Sequence, residues 1–148
     1  MSELSTATIL ALHALHAMMR RGRPVSVRDI SRTGGFPPEQ VRCVLAKLQQ
    51  AEMIRSRPGR GYLLARAAGE ISVRDVIAAM MDRRAPTAPC GGDMDACDSR
   101  ASCILAPLCR KADQAFQETL RSFTLAELQG APLDLPNCVA PGIGVGES

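Results

Sequence analysis

Apolar positions recur with a helical period over most of the chain and switch to a strand period in one place. In residues 4–20, LSTATILALHALHAMMR, Ile9, Leu12, His16 and Met19 fall on one stripe with Ala11, Leu15 and Met18 beside it, behind Ser5 or Thr6 as N-cap. The stretch RGRPVS ends this helix. SVRDISRTGG predicts a second, short helix, opened by Ser26 with Asp29 three residues on as a variant capping box and stopped by Gly34 and Gly35. PPEQVRCVLAKLQQAEMI predicts a third, with Pro38 in its first turn and Val41, Val44, Leu45 and Leu48 as its buried face. Two short helices joined by a glycine turn, the second basic and amphipathic, read as a helix-turn-helix.

The period falls to two in MIRSRPGRGYLLAR, where short β segments flank Pro58, Gly59, Arg60 and Gly61. This is hairpin chemistry, with four cations in or near the turn, and it predicts a wing. EISVRDVIAAMMDRR returns to a helical period with Val73, Val76, Ile77 and Met80 inward. The expected fold is therefore mainly α with a small β-hairpin wing, a winged helix-turn-helix DNA-binding domain over residues 1–84. Residues 85–103 are rich in Pro, Gly, Asp and Ser and predict a cysteine-bearing loop. Over residues 104–130, Leu105, Leu108, Ala112, Phe116, Leu120 and Phe123 recur at a mean spacing of 3.6, one apolar face along a long helix. A lone helix beyond a complete domain cannot bury that face by itself, so it is expected to pack on a second copy as a dimerisation helix. Residues 131–148 read as a flexible tail.

Composition sharpens this picture. With 46% apolar residues, one Tyr, three Phe and no Trp in 148 residues, an all-β fold is largely excluded. The net charge of +3 hides an asymmetry: residues 1–84 carry 14 Lys and Arg against 7 Asp and Glu, a balance of +7, and the remainder carries −4. Thirteen of those 14 cations are Arg, whose planar fork suits phosphates and guanine edges, so double-stranded DNA is the expected partner. On the recognition helix Glu39, Gln40, Arg42 and Lys47 fall on or near the exposed side, and Arg57 and Arg60 fall in the wing. Gln40 and Arg42 suit base edges; Arg28, Lys47, Arg57 and Arg60 suit phosphates. A two-fold dimer would read a palindromic operator. The stretch from Thr6 to Met19 is too short to span a bilayer and lacks a basic segment before it, so no membrane association and a cytoplasmic, nucleoid-associated location are expected.

In a reducing compartment, six cysteines are not expected to form a disulfide framework. Cys90, Cys97 and Cys103 stand in C-x6-C-x5-C with two Gly and three Asp between them. Three cysteines in such a loop read equally as a ligand set or as scattered reduced thiols. As a ligand set, the spacing favours an iron–sulfur cluster over the short knuckles of a zinc ribbon. Cys43, Cys109 and Cys138 lie in a helix or the tail and read as passive thiols. There is no nucleotide-binding glycine fingerprint, flavin motif or paired catalytic set, so an enzyme is not expected.

The LST opening, PVSVRDIS with the following helix, SRPGRGYLLAR, EISVRDVIAAM, the three-cysteine loop and the closing TLAEL together resemble the IscR/NsrR family of bacterial iron–sulfur transcriptional regulators, over residues 4 to about 128. The resemblance implies a homodimer with crossing long helices. It also implies a 2Fe-2S or 4Fe-4S cluster on Cys90, Cys97 and Cys103, whose state alters operator binding in response to nitric oxide, iron or redox state, most simply as a repressor. Three departures matter. The His that IscR-like members carry three residues after the third cysteine is Ala106 here, and the carboxylate that NsrR-like members borrow from the partner's first helix is Ile9. Some relatives carry a His four residues further on, which makes His13 of the partner subunit the expected fourth ligand. The wing lacks the usual GGGY run. The alternative is a winged-helix regulator or interaction module without a cluster, using cysteine thiols or zinc.

Overall fold

The computed structural model describes residues 4–81 and 103–130. Helices α1 (Thr6–Arg21), α2 (Val27–Gly34) and α3 (Pro38–Gln50) are followed by strands β1 (Ile54–Arg57) and β2 (Gly61–Leu64) and by a 3-10 turn at Ala68–Glu70. Helices α4 (Val73–Met80), α5 (Ala106–Ser122) and α6 (Leu125–Leu128) complete the described fold, which is the mainly helical winged helix-turn-helix expected.

Helix ends follow local chemistry. Ser5 accepts from the Thr8 amide at the start of α1, and Gly22, in left-handed backbone at φ 58°, closes the other end. The Ser26 and Asp29 capping box forms with both halves present, and the same device recurs at Ser72 with Asp75 and at Thr124 with Glu127.

The buried stripe of α1 is wider than its sequence period suggests. Leu10, Ala11, Ala14, Leu15 and Met18 are the fully enclosed residues, while Ile9, Leu12 and Met19 of the expected stripe are only partly covered. The reason is that α1 is surrounded by α2, α3, α4, β2 and α6, so neighbours cover several of its sides. On α3, Val41, Val44, Leu45 and Leu48 are buried as the period predicts, and on α4 Val73, Val76 and Met80 are.

The two strands pair antiparallel, with Ile54 opposite Leu64 and Arg57 opposite Gly61. The hairpin is pinned to the body by a two-way bridge, Val25 N–H to the Tyr62 carbonyl at 2.8 Å and Tyr62 N–H to the Val25 carbonyl at 2.9 Å. Gly61 makes that approach possible. Its φ is 114°, and a Cβ there would overlap the carbonyl of Val25.

The core does not close near residue 84. Leu125, beyond α5, has no exposed surface and belongs to the same cluster as Leu10 and Ile71. Segment 71–73 pairs with segment 123–125, through Val73 N–H to the Phe123 carbonyl at 2.9 Å and Leu125 N–H to the Ile71 carbonyl at 3.0 Å. A four-residue helix is unstable alone. This bridge and the burial of Leu125, a contribution of about 1.5–3 kcal/mol, hold α6 in place. The remainder of the expected helix α4 beyond Met81, the cysteine loop to residue 102 and the tail from 131 lie outside the described residues.

Two stability predictions follow from these contacts. Gly61→Ala should lower the unfolding free energy by roughly 1–3 kcal/mol, read as a fall in the thermal midpoint; an unchanged midpoint would show that the hairpin does not need this approach. At Asp29, hydrogen bonds from the Ser26 side chain and backbone, helped by Arg21, hold the carboxyl below its ordinary 3.8. The unfolded chain then takes up a proton at higher pH than the folded one, so the stability is fully present above 3.8 and is lost as pH falls from there through the lower value of the folded state. Asp29→Asn should flatten the acid limb of a denaturant-midpoint against pH curve, and an unchanged limb would contradict the assignment.

Candidate nucleic-acid interface and metal ligands

Burial of Val41, Val44, Leu45 and Leu48 fixes which side of α3 faces outward. At about 100° per residue, Glu39, Cys43, Ala46 and Gln50 form the line opposite the core. Arg42 and Gln49 flank that line on one side, Gln40 and Lys47 on the other, and all eight residues are exposed. Gln40 and Arg42, both suited to base edges, thus sit on opposite flanks rather than side by side.

Lys47 has a contact the sequence does not reveal. Its Nζ lies 3.5 Å from the carbonyl oxygen of Met80, at the last turn of α4 and the limit of hydrogen-bonding distance. A cation there also complements the negative end of that helix.

In the hairpin, Arg57 ends β1 and Arg60 sits in the turn, where its N–H donates to the Arg57 carbonyl at 2.9 Å and Gly59 takes φ 72°. Period-two alternation puts Arg55 on the same side of β1 as Arg57, which adds a further cation to the face expected from the sequence. Arg28 is exposed on α2. Among the described residues, ion pairs form only at Asp29, with Arg21 at 3.4 Å and Arg32 at 3.6 Å. Arg28, Arg42, Arg55, Arg57 and Arg60 therefore have no acidic partner within the described protein, and their charge is available to a polyanion.

The candidate ligands are placed very differently. Cys103 is a free, half-buried thiol just before α5, where its carbonyl accepts the Ala106 N–H at 3.2 Å. Cys109, also half-buried, lies one turn into α5, and Cys43 is exposed on α3. Cys90, Cys97 and Cys138 lie outside the described residues. Among the described residues no group of three or more His, Cys, Asp or Glu side chains comes together as a metal site.

His13 is interior. It is 5% exposed, and neither ring nitrogen has a hydrogen-bond partner among the described residues. Leaving a buried polar atom unpaired costs about 1–3 kcal/mol, a cost that the packing around the ring must offset. The ring lies against the turn between α2 and α3, with the Phe36 ring centroid 6.5 Å away and tilted by 47°. Gly34 makes the room: a Cβ there would stand 2.9 Å from His13 Cδ2, 3.0 Å from Nε2 and 2.8 Å from Phe36 Cδ2. Burial first, and the nearby His16 second, pull the His13 pKa below its ordinary 6.5, which keeps the imidazole neutral. A neutral imidazole without a partner is chemically suited to bind iron. Its position is not that of a ligand, because the ring faces the turn between α2 and α3.

On α5, Cys109, Phe116 and Leu120 are partly covered, whereas Ile104, Leu105, Leu108 and Phe123 are exposed, Ile104 at 89%. Arg74 of α4 donates to Gln117 of α5 at 2.9 Å, fixing how the two helices lie. Among the described residues, one flank of the long apolar face is used within the chain and the other is left uncovered.

A family model described as "Rrf2: Iron-dependent Transcriptional regulator" matches residues 4–131. Protein rrf2 of Nitratidesulfovibrio vulgaris strain Hildenborough is 32% identical over 114 residues, 76% of this chain and 75% of that one. The HTH-type transcriptional repressor NsrR of Streptomyces coelicolor is 29% identical over 134 residues, 87% and 89% of the two chains. The HTH-type transcriptional regulator IscR of Vibrio atlanticus is 32% identical over 117 residues, 78% of this chain and 65% of the longer relative. Among solved structures, T. potens IscR superposes with a TM-score of 0.68 at 22% identity, over 86% of this chain and 85% of that one. The oxidised form of Staphylococcus aureus CymR does so with a TM-score of 0.70 at 20% identity, over 88% and 98%. At such identities the two structures speak for the fold alone. The family match spans the helix-turn-helix, the hairpin and α5 together: this chain belongs to the Rrf2 family of transcriptional regulators.

Proposed function

We propose that the protein acts as a homodimeric repressor that binds a palindromic DNA operator and responds to nitric oxide, iron or redox state through an iron–sulfur cluster. The observation that carries the DNA reading is the set of cations on α2, α3 and the hairpin that have no acidic partner among the described residues, on a chain whose first 84 residues carry a balance of +7. Arg42 and Gln40 reach base edges from opposite flanks of α3, with Glu39 between them. Arg28, Lys47, Arg57 and Arg60 contact phosphates, Lys47 after leaving the carbonyl of Met80. Ile104, Leu105, Leu108 and Phe123 offer an exposed apolar face on which a second copy would pack, and such a two-fold dimer would read half-sites about one turn of DNA apart.

Cys90, Cys97 and Cys103 would hold the cluster, with His13 of the partner subunit as fourth ligand. Such a cluster supplies electron exchange and an iron site open to small ligands. The support within this chain is the free Cys103 thiol at the start of α5 and the neutral His13 imidazole, whose ring nitrogens have no hydrogen-bond partner among the described residues. A cluster-free reading has one observation in its favour, the exposed Cys43 thiol on the outward line of α3, where its oxidation would intrude on bound DNA.

For DNA, Arg42→Ala should flatten discrimination among duplexes in a selection experiment. Arg60→Ala should weaken all duplexes alike and reduce the salt slope by about one. Equal loss of discrimination from both variants, or binding without salt dependence, would contradict the interface.

For the cluster, single Cys→Ala variants purified without oxygen should divide by iron content. Those at Cys90, Cys97 and Cys103 should lose iron and visible absorbance, and those at Cys43, Cys109 and Cys138 should keep both. Colourless wild-type protein would favour the cluster-free reading, and Cys43 alkylation would then abolish operator binding.

A further inference from the structure

Helix α4 ends without the devices that close its neighbours. Helices α1 and α2 each finish on a left-handed glycine, Gly22 and Gly35, and each carries arginine in its last turn. Helix α4 has no basic residue in its last turn, and the chain leaves it through Met81 in extended backbone at φ −68° and ψ 135°. The last carbonyls of a helix lack intrahelical donors and carry a partial negative charge. Among the described residues, the cation that reaches this end comes from another helix: Lys47 of α3, with Nζ 3.5 Å from the Met80 carbonyl oxygen.

Lys47 also stands on the surface that DNA would meet. It is exposed, on the flank of α3 that it shares with Gln40, beside the outward line that runs through Cys43 and Gln50. Helix α4 packs against α3, so the Met80 carbonyl lies on the body side of Lys47, whereas a phosphate would lie off the outward side. One ammonium at the end of a flexible stem has to turn from one to the other. The competition favours the phosphate, because a hydrogen bond with charge on both partners is stronger than one to a neutral carbonyl at the limit of its range.

We infer that Lys47 is a latch shared by two partners: in the free protein it caps the C-terminal end of α4, and on DNA it crosses to a phosphate, so that duplex binding releases the last turn of α4. This rests on the reading of Lys47 as a phosphate contact. Linkage makes the coupling reciprocal: whatever holds the end of α4 closed withholds one cation from DNA, and whatever opens it returns that cation. The start of α4 stays fixed, because its Ser72–Asp75 capping box and the bond from Val73 N–H to the Phe123 carbonyl lie at the other end. The release is therefore confined to the last turn.

The test is hydrogen–deuterium exchange with mass spectrometry on the full chain, free and saturated with a duplex recovered by selection from a random-sequence pool, with affinity for that duplex measured against salt. In the wild type the amides of residues 79–81, among them the Met81 N–H that donates to the Ile77 carbonyl, should exchange about two- to five-fold faster on the duplex, the reverse of what burial by DNA would produce. Lys47→Met keeps an unbranched side chain and removes the charge. In its free form the same amides should exchange at the rate of the duplex-bound wild type, with no further rise on binding, and its salt slope should fall by about one. Arg60→Ala, which removes a different phosphate contact, should keep the wild-type rate in the free form and the rise on binding. Unchanged or slower exchange of these amides in the duplex-bound wild type overturns the inference, as does a Lys47→Met variant whose free-form exchange matches the free wild type. If no duplex is enriched, or Lys47→Met leaves the salt slope unaltered, the phosphate reading fails and the inference with it. If the slope falls while wild-type exchange does not respond, the inference alone fails. Should Lys47→Met not fold, the wild type and Arg60→Ala decide.

Discussion

Helix α1 is the element on which the rest of the structure depends. Ala11 and Ala14 have no exposed surface, and their small side chains let neighbouring helices approach closely, while Leu10, Leu15 and Met18 fill the space between them. Because α2, α3, α4, β2 and α6 all touch α1, its position sets the positions of the recognition helix and, through β2, of the hairpin. Truncating such a leucine to alanine typically costs about 2–5 kcal/mol, a large share of the stability of a domain of this size. The same helix carries His13. A helix so central can hold a polar ring in the interior only if something nearby yields, and Gly34 is what yields.

A second constraint ties the two ends of the fold. The pairing of segment 71–73 with segment 123–125 joins the start of α4 to the end of α5, and the Arg74 to Gln117 hydrogen bond holds the two helices along their length. Helix α5 is thus anchored in the DNA-binding domain at its C-terminal end, while its N-terminal end, beside Cys103, carries the exposed Ile104, Leu105 and Leu108. Anything that acts on the N-terminal end of α5 acts on a lever whose other end is fixed to the core. Lys47 extends this relation, because it links α3 to the last turn of α4.

Much of this fold could be read in the chain itself. The Ser26–Asp29 capping box, the Pro58–Gly59 turn and the helical period of α3 are local signals, and each appears where the residues place it. The relations that could not be read are those between distant segments. The true buried face of α1 depends on neighbours at several sides, which one stripe cannot encode. Helix α6 is too short for a period, and its bridge to Ser72 together with the burial of Leu125 explains it. For the site, exposure of Glu39, Gln40, Arg42, Arg57 and Arg60 follows from amphipathic pattern and turn chemistry. The burial of His13 does not, because its explanation is a missing side chain at Gly34 on another helix. Lys47 reaching Met80 is equally a product of tertiary packing.

The central claim is that one chain couples a cluster to operator affinity. The most direct measurement is an anaerobic binding titration of the same palindromic duplex with the cluster-loaded and the metal-free dimer, each at several salt concentrations. Affinities are expected to differ about 5–150-fold between the two forms, with a common salt slope, because the cations that meet phosphates are the same in both. Equal affinities at every salt concentration would contradict it.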